Sequence, residues 1–142
     1  MPFITYWKGT IKPAFSDAIV CQMDLLASLA SLTGTSENIT DSKDLLNAFL
    51  GESDKGRENL LIEANSKTAL RSGDWLMIPP YKGRGFNNKV NIDLGVLPKP
   101  QLYNVKEDVG QQNNLADTNR EKLAELIQIY ESLKGEKIKE VK

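Results

Sequence analysis

The sequence predicts an α+β fold, in which paired strands are followed by a helix that can cover them. Two observations lead to this prediction. Between residues 60 and 105, short runs of aromatic, β-branched and other apolar residues alternate with turn-forming residues, as is typical of strands and hairpins. After residue 118, by contrast, apolar residues recur at helical spacing until a glycine ends the pattern at residue 135.

Four segments between residues 60 and 105 have the composition of strands, and one more lies near the N-terminus. The turn residues Ser72-Gly73-Asp74 predict a hairpin, and Pro79-Pro80 stops its second strand. Tyr81–Leu97 is rich in glycine and asparagine, so we expect a loose excursion there. The predicted strands are Phe3–Trp7, Leu60–Ile62, Thr68–Arg71, Trp75–Ile78 and Leu102–Val105.

Three segments show helical patterns. Ser16 is the predicted N-cap of a helix that runs to about Leu32, and apolar residues cover so much of its circumference that we expect it to be largely buried. A short helix follows over residues 45–50. The third helix starts with the capping box Thr118-Asn119-Arg120-Glu121, and the charged residues after its end are expected to fray.

The composition excludes several kinds of chemistry. The 142 residues include no histidine and one cysteine, so the chain contains no Ser-His-Asp triad, no Cys-His pair and no internal disulfide. Its 18 Lys and Arg and 19 Asp and Glu are evenly spread, which disfavours a nucleic-acid interface. Its apolar runs are far shorter than the roughly 20 residues that a membrane span needs.

Three sets of polar residues have a chemical interpretation, and each also has a structural one. Cys21 is the one thiol, and a structural role is favoured because no histidine can activate it. Asp17 and Asp24 share a stripe of the first predicted helix, about 10.5 Å apart along its axis, where helix-face roles are favoured over a shared metal. Lys82-Gly83-Arg84-Gly85 offers backbone amides and cations to an anion, but a plain flexible loop is favoured.

Five short segments stand in an order and at a spacing that carry a family resemblance. They are PFITYWKGTIKP at 2–13, SD at 16–17 with QMDLLASLASLTG at 22–34, DLL at 44–46 with LG at 50–51, TALRSGDW at 68–75, and QLYNVKED at 101–108 with NNLA at 113–116. Together they resemble the C-terminal part of the arylsulfatase-type sulfatases. Ala14, Leu76 and Val109 depart from the family pattern.

The resemblance implies a sheet of about four antiparallel strands with the terminal helix packed across it, preceded by a strand and helices of a larger α/β domain. It implies a parent protein that hydrolyses sulfuric esters with a formylglycine, made in a C/S-x-P/A-x-R motif, beside a calcium ion. Cys21 does not match that motif, because Met23 and Leu25 occupy its third and fifth places. We therefore expect no catalytic, cofactor-binding or metal-binding residue in this chain, and no turnover by it alone.

In the parent, this part would support the fold and one wall of the substrate entrance, where Asn65 and Lys67 are the expected contacts. Many family members carry His near the position of Asn65. The alternative is a small binding or interaction module that acts alone and without catalysis.

The resemblance also implies a division of the chain into three parts. Residues 1–57 would be the tail end of the α/β catalytic domain, 58–135 the C-terminal subdomain and 136–142 a charged tail. The expected partner is the N-terminal catalytic domain of the same parent chain, and without it residues 1–34 are expected to self-associate through an exposed strand. The family is commonly secreted, periplasmic or lysosomal, and the sequence itself indicates no compartment.

Overall fold

A computed structural model describes residues 3–35, 41–64 and 66–139. The chain divides into two compact units, Met1–Glu58 and Asn59–Lys142. The first unit contains α1 (Asp24–Leu32) and α2 (Leu46–Phe49). The second contains β1 (Asn59–Ala64), β2 (Lys67–Ser72), β3 (Trp75–Ile78), β4 (Phe86–Asn87), β5 (Ile92–Asp93), β6 (Gln101–Asn104) and α3 (Arg120–Lys134). In the described part of the chain, no helix is both long enough and apolar enough to cross a membrane.

The second unit is built on a four-stranded antiparallel sheet with the strand order β1-β2-β3-β6. Met77 of β3 pairs with Leu70 of β2 on one side and with Leu102 of β6 on the other. Because side chains alternate between the faces of a strand, these three line one face, while Leu76 and Tyr103 point to the other. The α+β fold and the antiparallel sheet predicted from the sequence are confirmed.

The helix α3 covers the face that carries Leu70, Met77 and Leu102. Its residues Leu126 and Tyr130 are buried in one cluster with those three side chains. Burial of these apolar side chains supplies the main driving force for folding of this unit.

Both ends of α3 differ in detail from the sequence prediction. The capping box does not form, because the Thr118 hydroxyl donates to the Leu115 carbonyl and the N-cap residue Asn119 makes no side-chain capping bond. After the helix, Ile138 packs against the core and its N–H donates to the Glu131 carboxylate at 2.9 Å. The expectation of a frayed tail is therefore wrong at Ile138, whose partial burial offsets part of the entropy lost on ordering it.

The first unit departs further from the sequence prediction. The helix α1 begins at Asp24 and not at Ser16, whose hydroxyl donates to the Asp54 carboxylate at 2.8 Å instead of capping a helix. The predicted strand over residues 3–7 does not form, since the described part of this unit contains no strand with which it could pair. Phe3 packs instead against Phe49, with ring centroids 5.6 Å apart.

The outer face of α1 is apolar and exposed, so the expectation of a largely buried helix is also wrong. Leu26, Leu29 and Leu32 are 56%, 53% and 40% exposed, whereas the buried residues of α1 are Asp24 and Ser28. The polar side of α1 faces inward because the side-chain oxygen atoms of Asp24 and Ser28 accept backbone hydrogen bonds from the segment that follows the helix.

Replacing Leu126 by alanine should lower the free energy of unfolding by about 2–5 kcal/mol, because the side chain is fully buried and its removal leaves a cavity. Urea denaturation followed by circular dichroism measures this loss. Leu133→Ala, at a position of the same helix that is 52% exposed, is the control and should change stability much less. Equal losses in the two variants would show that α3 does not cover the sheet.

Candidate functional site

The polar centre of the first unit is Asp24, whose carboxylate is fully buried at the N-terminus of α1. Arg57 places its Nε 2.9 Å from each carboxylate oxygen and its Nη2 2.5 Å from Oδ1. The N–H of Lys43 donates to the same carboxylate at 3.1 Å, and the N–H and S–H of Cys21 donate at 3.1 and 3.2 Å. Asp24 therefore joins three separate segments of the chain at one buried ion pair.

The segment that carries Arg57 passes close to the backbone of Ile19. The N–H of Arg57 donates to the Ile19 carbonyl at 2.7 Å. A Cβ atom at Gly56 would overlap the backbone N, C and O atoms of Ile19, so the close approach of the two segments requires glycine.

The charge of Asp24 is fixed by these contacts. Burial alone would raise the pKa of its carboxyl, but the Arg57 guanidinium and the donors of Lys43 and Cys21 outweigh burial and lower the pKa to about 2. The same ion pair raises the pKa of Arg57. A carboxylate engaged by this many donors acts as a structural anchor and not as an acid, a base or a metal ligand.

The candidates named from the sequence do not come together around Asp24. Asp17 precedes α1, so the two carboxylates do not share a helix stripe. Cys21 is partly buried, and its thiol is held as a donor to the carboxylate. Among the described residues, no three Asp, Glu or Cys side chains lie close enough together to hold a metal ion.

A second polar cluster lies where β2 begins. Lys67, the entrance contact expected from the resemblance, has its Nζ 5.9 Å from the centroid of the Tyr81 ring. The Tyr81 hydroxyl accepts the N–H of Thr68 at 2.7 Å and donates to its carbonyl at 2.8 Å, which fixes the ring. The Thr68 hydroxyl also lies 2.5 Å from that of Tyr130. Asn65, the other expected contact, lies outside the described residues.

A positively charged pocket of about 250 Å³ adjoins this cluster. Lys134 donates to the Thr68 hydroxyl at 3.3 Å and pairs with Glu136 at 3.2 Å. Glu136 is the one acidic residue among the described residues of the lining, where the lysines are Lys82, Lys134, Lys137 and Lys139. The 82–85 segment thus contributes a cation to this pocket through Lys82.

A larger cleft of about 790 Å³ lies on the sheet face opposite α3. Ile78 and Gln101 pair across β3 and β6 and form its floor together with Tyr103. One wall includes residues of the β4–β5 hairpin, which forms inside the segment expected to be a loose excursion. The other wall comes from residues 110–114.

No family model matches the chain. Its sequence is 32% identical to an N-acetylgalactosamine-6-O-sulfatase of Bacteroides thetaiotaomicron, over 94% of this chain and 27% of that protein. It is 29% identical to arylsulfatase A of Bos taurus, over 93% of this chain and 29% of that protein. A solved structure from the metabolism of multiple glycosaminoglycans by Bacteroides thetaiotaomicron matches 91% of this chain and 28% of its own, with a TM-score of 0.83 and 31% identity. Over nearly its whole length, the chain is therefore similar to the C-terminal part of sulfatases.

The chain spans a little more than a quarter of the length of these relatives, and its fold is that of a sulfatase C-terminal region. The family resemblance read from the five sequence segments is therefore confirmed.

Sequence reasoning missed the groups that surround Asp24. Arg57 lies 33 positions later, at the end of the charged segment 52–57. Ser42 bridges the first turn of α1, because its hydroxyl accepts the N–H of Ala27 at 3.0 Å and donates to the Met23 carbonyl at 2.5 Å. No periodic pattern links such positions, and the one available signal is an aspartate in a helix that is otherwise mostly apolar.

Asp24→Asn should lower the stability of the first unit by about 3–5 kcal/mol, because it leaves the Arg57 guanidinium buried without its counter-charge. Urea or thermal denaturation measures the change. Asp17→Asn, at an exposed position outside α1, is the control and should have little effect.

The same ion pair sets an acid dependence. Since the pKa of about 2 in the folded chain lies below the ordinary 3.8, the stabilisation is fully present above the ordinary value and is lost as the pH falls towards 2. This part of the acid dependence should disappear in Asp24→Asn. An identical acid profile in both proteins would contradict the assignment.

Proposed function

We propose that this chain is the C-terminal part of a sulfuric ester hydrolase and that a catalytic domain preceding it in the parent supplies the nucleophile and the metal. The observation that carries the proposal is the match to a sulfatase over 94% of this chain but 27% of the relative. The name of that relative favours a sulfated amino sugar as the substrate class.

The groups that sulfatase chemistry needs do not fit the described residues. A formylglycine is made from a cysteine or serine in a fixed motif, whereas Cys21 lacks the motif and donates its S–H to Asp24. A calcium ion needs free carboxylate oxygens, but those of Asp24 are engaged by Arg57. We therefore assign both groups to the preceding catalytic domain.

The exposed face of α1 supports docking of the first unit on that domain. Leu26, Leu29 and Leu32 follow one another at helical spacing and are all at least 40% exposed. Ile4 and Tyr6 add apolar surface in the same unit, at 85% and 83% exposed. Apolar surface concentrated in this way is typical of a face that another protein surface covers.

This division of roles assigns residues 1–57 to the catalytic domain of the parent, residues 58–135 to the C-terminal subdomain and residues 136–142 to its tail. The lysines around Tyr81 support a place for the subdomain at the substrate entrance. Lys67 and the neighbouring lysine pocket present positive charge, which attracts the sulfate group of a substrate. Asn65, two residues before Lys67, belongs to the same proposed contact.

The isolated chain should not hydrolyse 4-nitrophenyl sulfate, with or without added calcium, whereas the chain joined to its catalytic domain should turn over a sulfated sugar. In the joined protein, Lys67→Ala should raise KM several-fold with a smaller effect on kcat, because Lys67 acts at the entrance. Lys99→Ala, an exposed lysine outside the pocket, is the control.

Turnover that tracks the isolated chain through purification would contradict the division of roles. A gene that encodes no catalytic domain before this chain would favour the alternative, a binding module that acts alone. The cleft of about 790 Å³ is the observation in favour of that alternative.

Without its catalytic domain, the chain should self-associate through the apolar surface of the first unit. Sedimentation velocity should show a dimer or larger species, and Leu29→Lys or Ile4→Lys should shift the chain towards monomer. Leu133→Lys, which places the same charge on an exposed position of α3, should leave the distribution unchanged. If the unmutated chain is monomeric at all concentrations, this surface does not drive association.

A further inference from the structure

The cleft on the sheet face opposite α3 has a floor of buried polar groups that hold one another in place. The Tyr103 hydroxyl donates to Gln101 Oε1 at 2.8 Å, and Gln101 Nε2 donates to the Gly95 carbonyl at 2.8 Å. Tyr103 and Gln101 are only 7% and 2% exposed. The hydroxyl oxygen of Tyr103 retains acceptor capacity, so the floor offers a fixed hydrogen-bond acceptor.

The wall over residues 110–114 is shaped by its own contacts. Asn114 Oδ1 accepts the N–H of Leu102 at 3.1 Å, which ties this segment to β6. Gln111 has a left-handed φ of +52°, an uncommon conformation for a residue with a side chain. These constraints hold Gln111 and Gln112 at the lining of the cleft, where Gln112 Nε2 donates to the Gly110 carbonyl at 2.8 Å and its Oε1 can accept a further hydrogen bond.

The wall on the side of β4 and the segment after β5 supply apolar surface. Phe86 is 41% exposed and Val96 is buried, and both line the cleft. A sugar ring has an apolar C–H face and a rim of hydroxyl groups. A site for such a ring therefore needs an aromatic or aliphatic wall together with amide and hydroxyl partners, which is the combination present here.

The charge in the cleft discriminates between ligands. Among the described residues of the lining, Asp93 alone carries a charge, and its carboxylate accepts the N–H of Gly95 at 2.7 Å. Burial raises the pKa of the Tyr103 hydroxyl, and the nearby carboxylates of Asp93 and Asp108 raise it further. The local potential is thus negative, which repels a sulfate or carboxylate group and accepts hydrogen bonds from neutral hydroxyls.

We propose that this cleft binds one uncharged sugar ring, with hydroxyls donating to Asp93 and Tyr103 and with its C–H face against Phe86. The amides of Gln111 and Gln112 bind the remaining hydroxyls. This site is separate from the lysine pocket and lies entirely in the second unit, so the proposal goes beyond the proposed function and does not require it.

The test is a titration of the isotopically labelled full chain with neutral hexoses and N-acetylhexosamines, followed by NMR. At least one neutral sugar should shift the amide signals of Gln111, Gln112 and Gly95 in a saturable way, at concentrations of about 1–50 mM. The 6-sulfate of the same sugar should require at least about tenfold more ligand, equivalent to about 1.4 kcal/mol.

Two variants separate the role of the charge from that of the side-chain amide. Asp93→Asn keeps a side-chain acceptor but removes the charge, so it should reduce the preference for the neutral sugar over its sulfate. Gln111→Gly suits the left-handed backbone and removes the amide, so it should weaken binding while the chain stays folded. Asp117→Asn, an exposed residue outside the cleft, is the control for charge.

The proposal fails if no neutral sugar gives a saturable shift of the amide signals in the folded, unmutated chain. It also fails if the sulfated sugar binds as tightly as the neutral one, or if the shifts fall on Lys82 and Lys134 instead of the cleft.

Discussion

The buried ion pair between Asp24 and Arg57 is the interaction on which the first unit depends. Among the described residues of that unit, Phe49 is the one buried apolar side chain, so its interior is organised by hydrogen bonds more than by apolar packing. The carboxylate draws together the start of α1, the segment at Lys43 and the segment at Arg57. A buried pair of this kind contributes more to the choice of one arrangement than to net stability, since desolvation of both charges offsets much of their attraction.

The second unit is organised by apolar packing, and this difference explains which parts of the fold could be predicted. Its strands and α3 are specified by residues that are close in sequence, such as the turn at Gly73 and the apolar spacing of Leu126 and Tyr130. Local pattern therefore predicted the sheet and the covering helix. In the first unit, a long helix from Ser16 matched the local pattern equally well, but contacts from Asp54 and Arg57 decided the outcome, and the sequence carries no local signal for them.

The candidate sites show the same limit to what local sequence can predict. The five segments that resemble sulfatases are runs of consecutive residues, so they could be recognised, and the comparisons confirmed the resemblance. The cleft, by contrast, is assembled from the β4–β5 hairpin, the floor at Gln101 and Tyr103, and a left-handed residue at Gln111. No spacing rule connects these positions. The glycine-rich segment 81–97 reads as loose because the ladder inside it consists of two residue pairs only, Phe86 with Asp93 and Asn87 with Ile92.

Gly56 limits the substitutions that this part of the chain can tolerate. It stands in a charged segment, yet a single methyl group there would overlap the backbone of Ile19, whose carbonyl accepts the N–H of Arg57. Any missense mutation at this position therefore disturbs the packing of the unit, although the native residue has no side chain. The genetic tolerance of this segment is set by a contact that neither hydropathy nor charge could reveal.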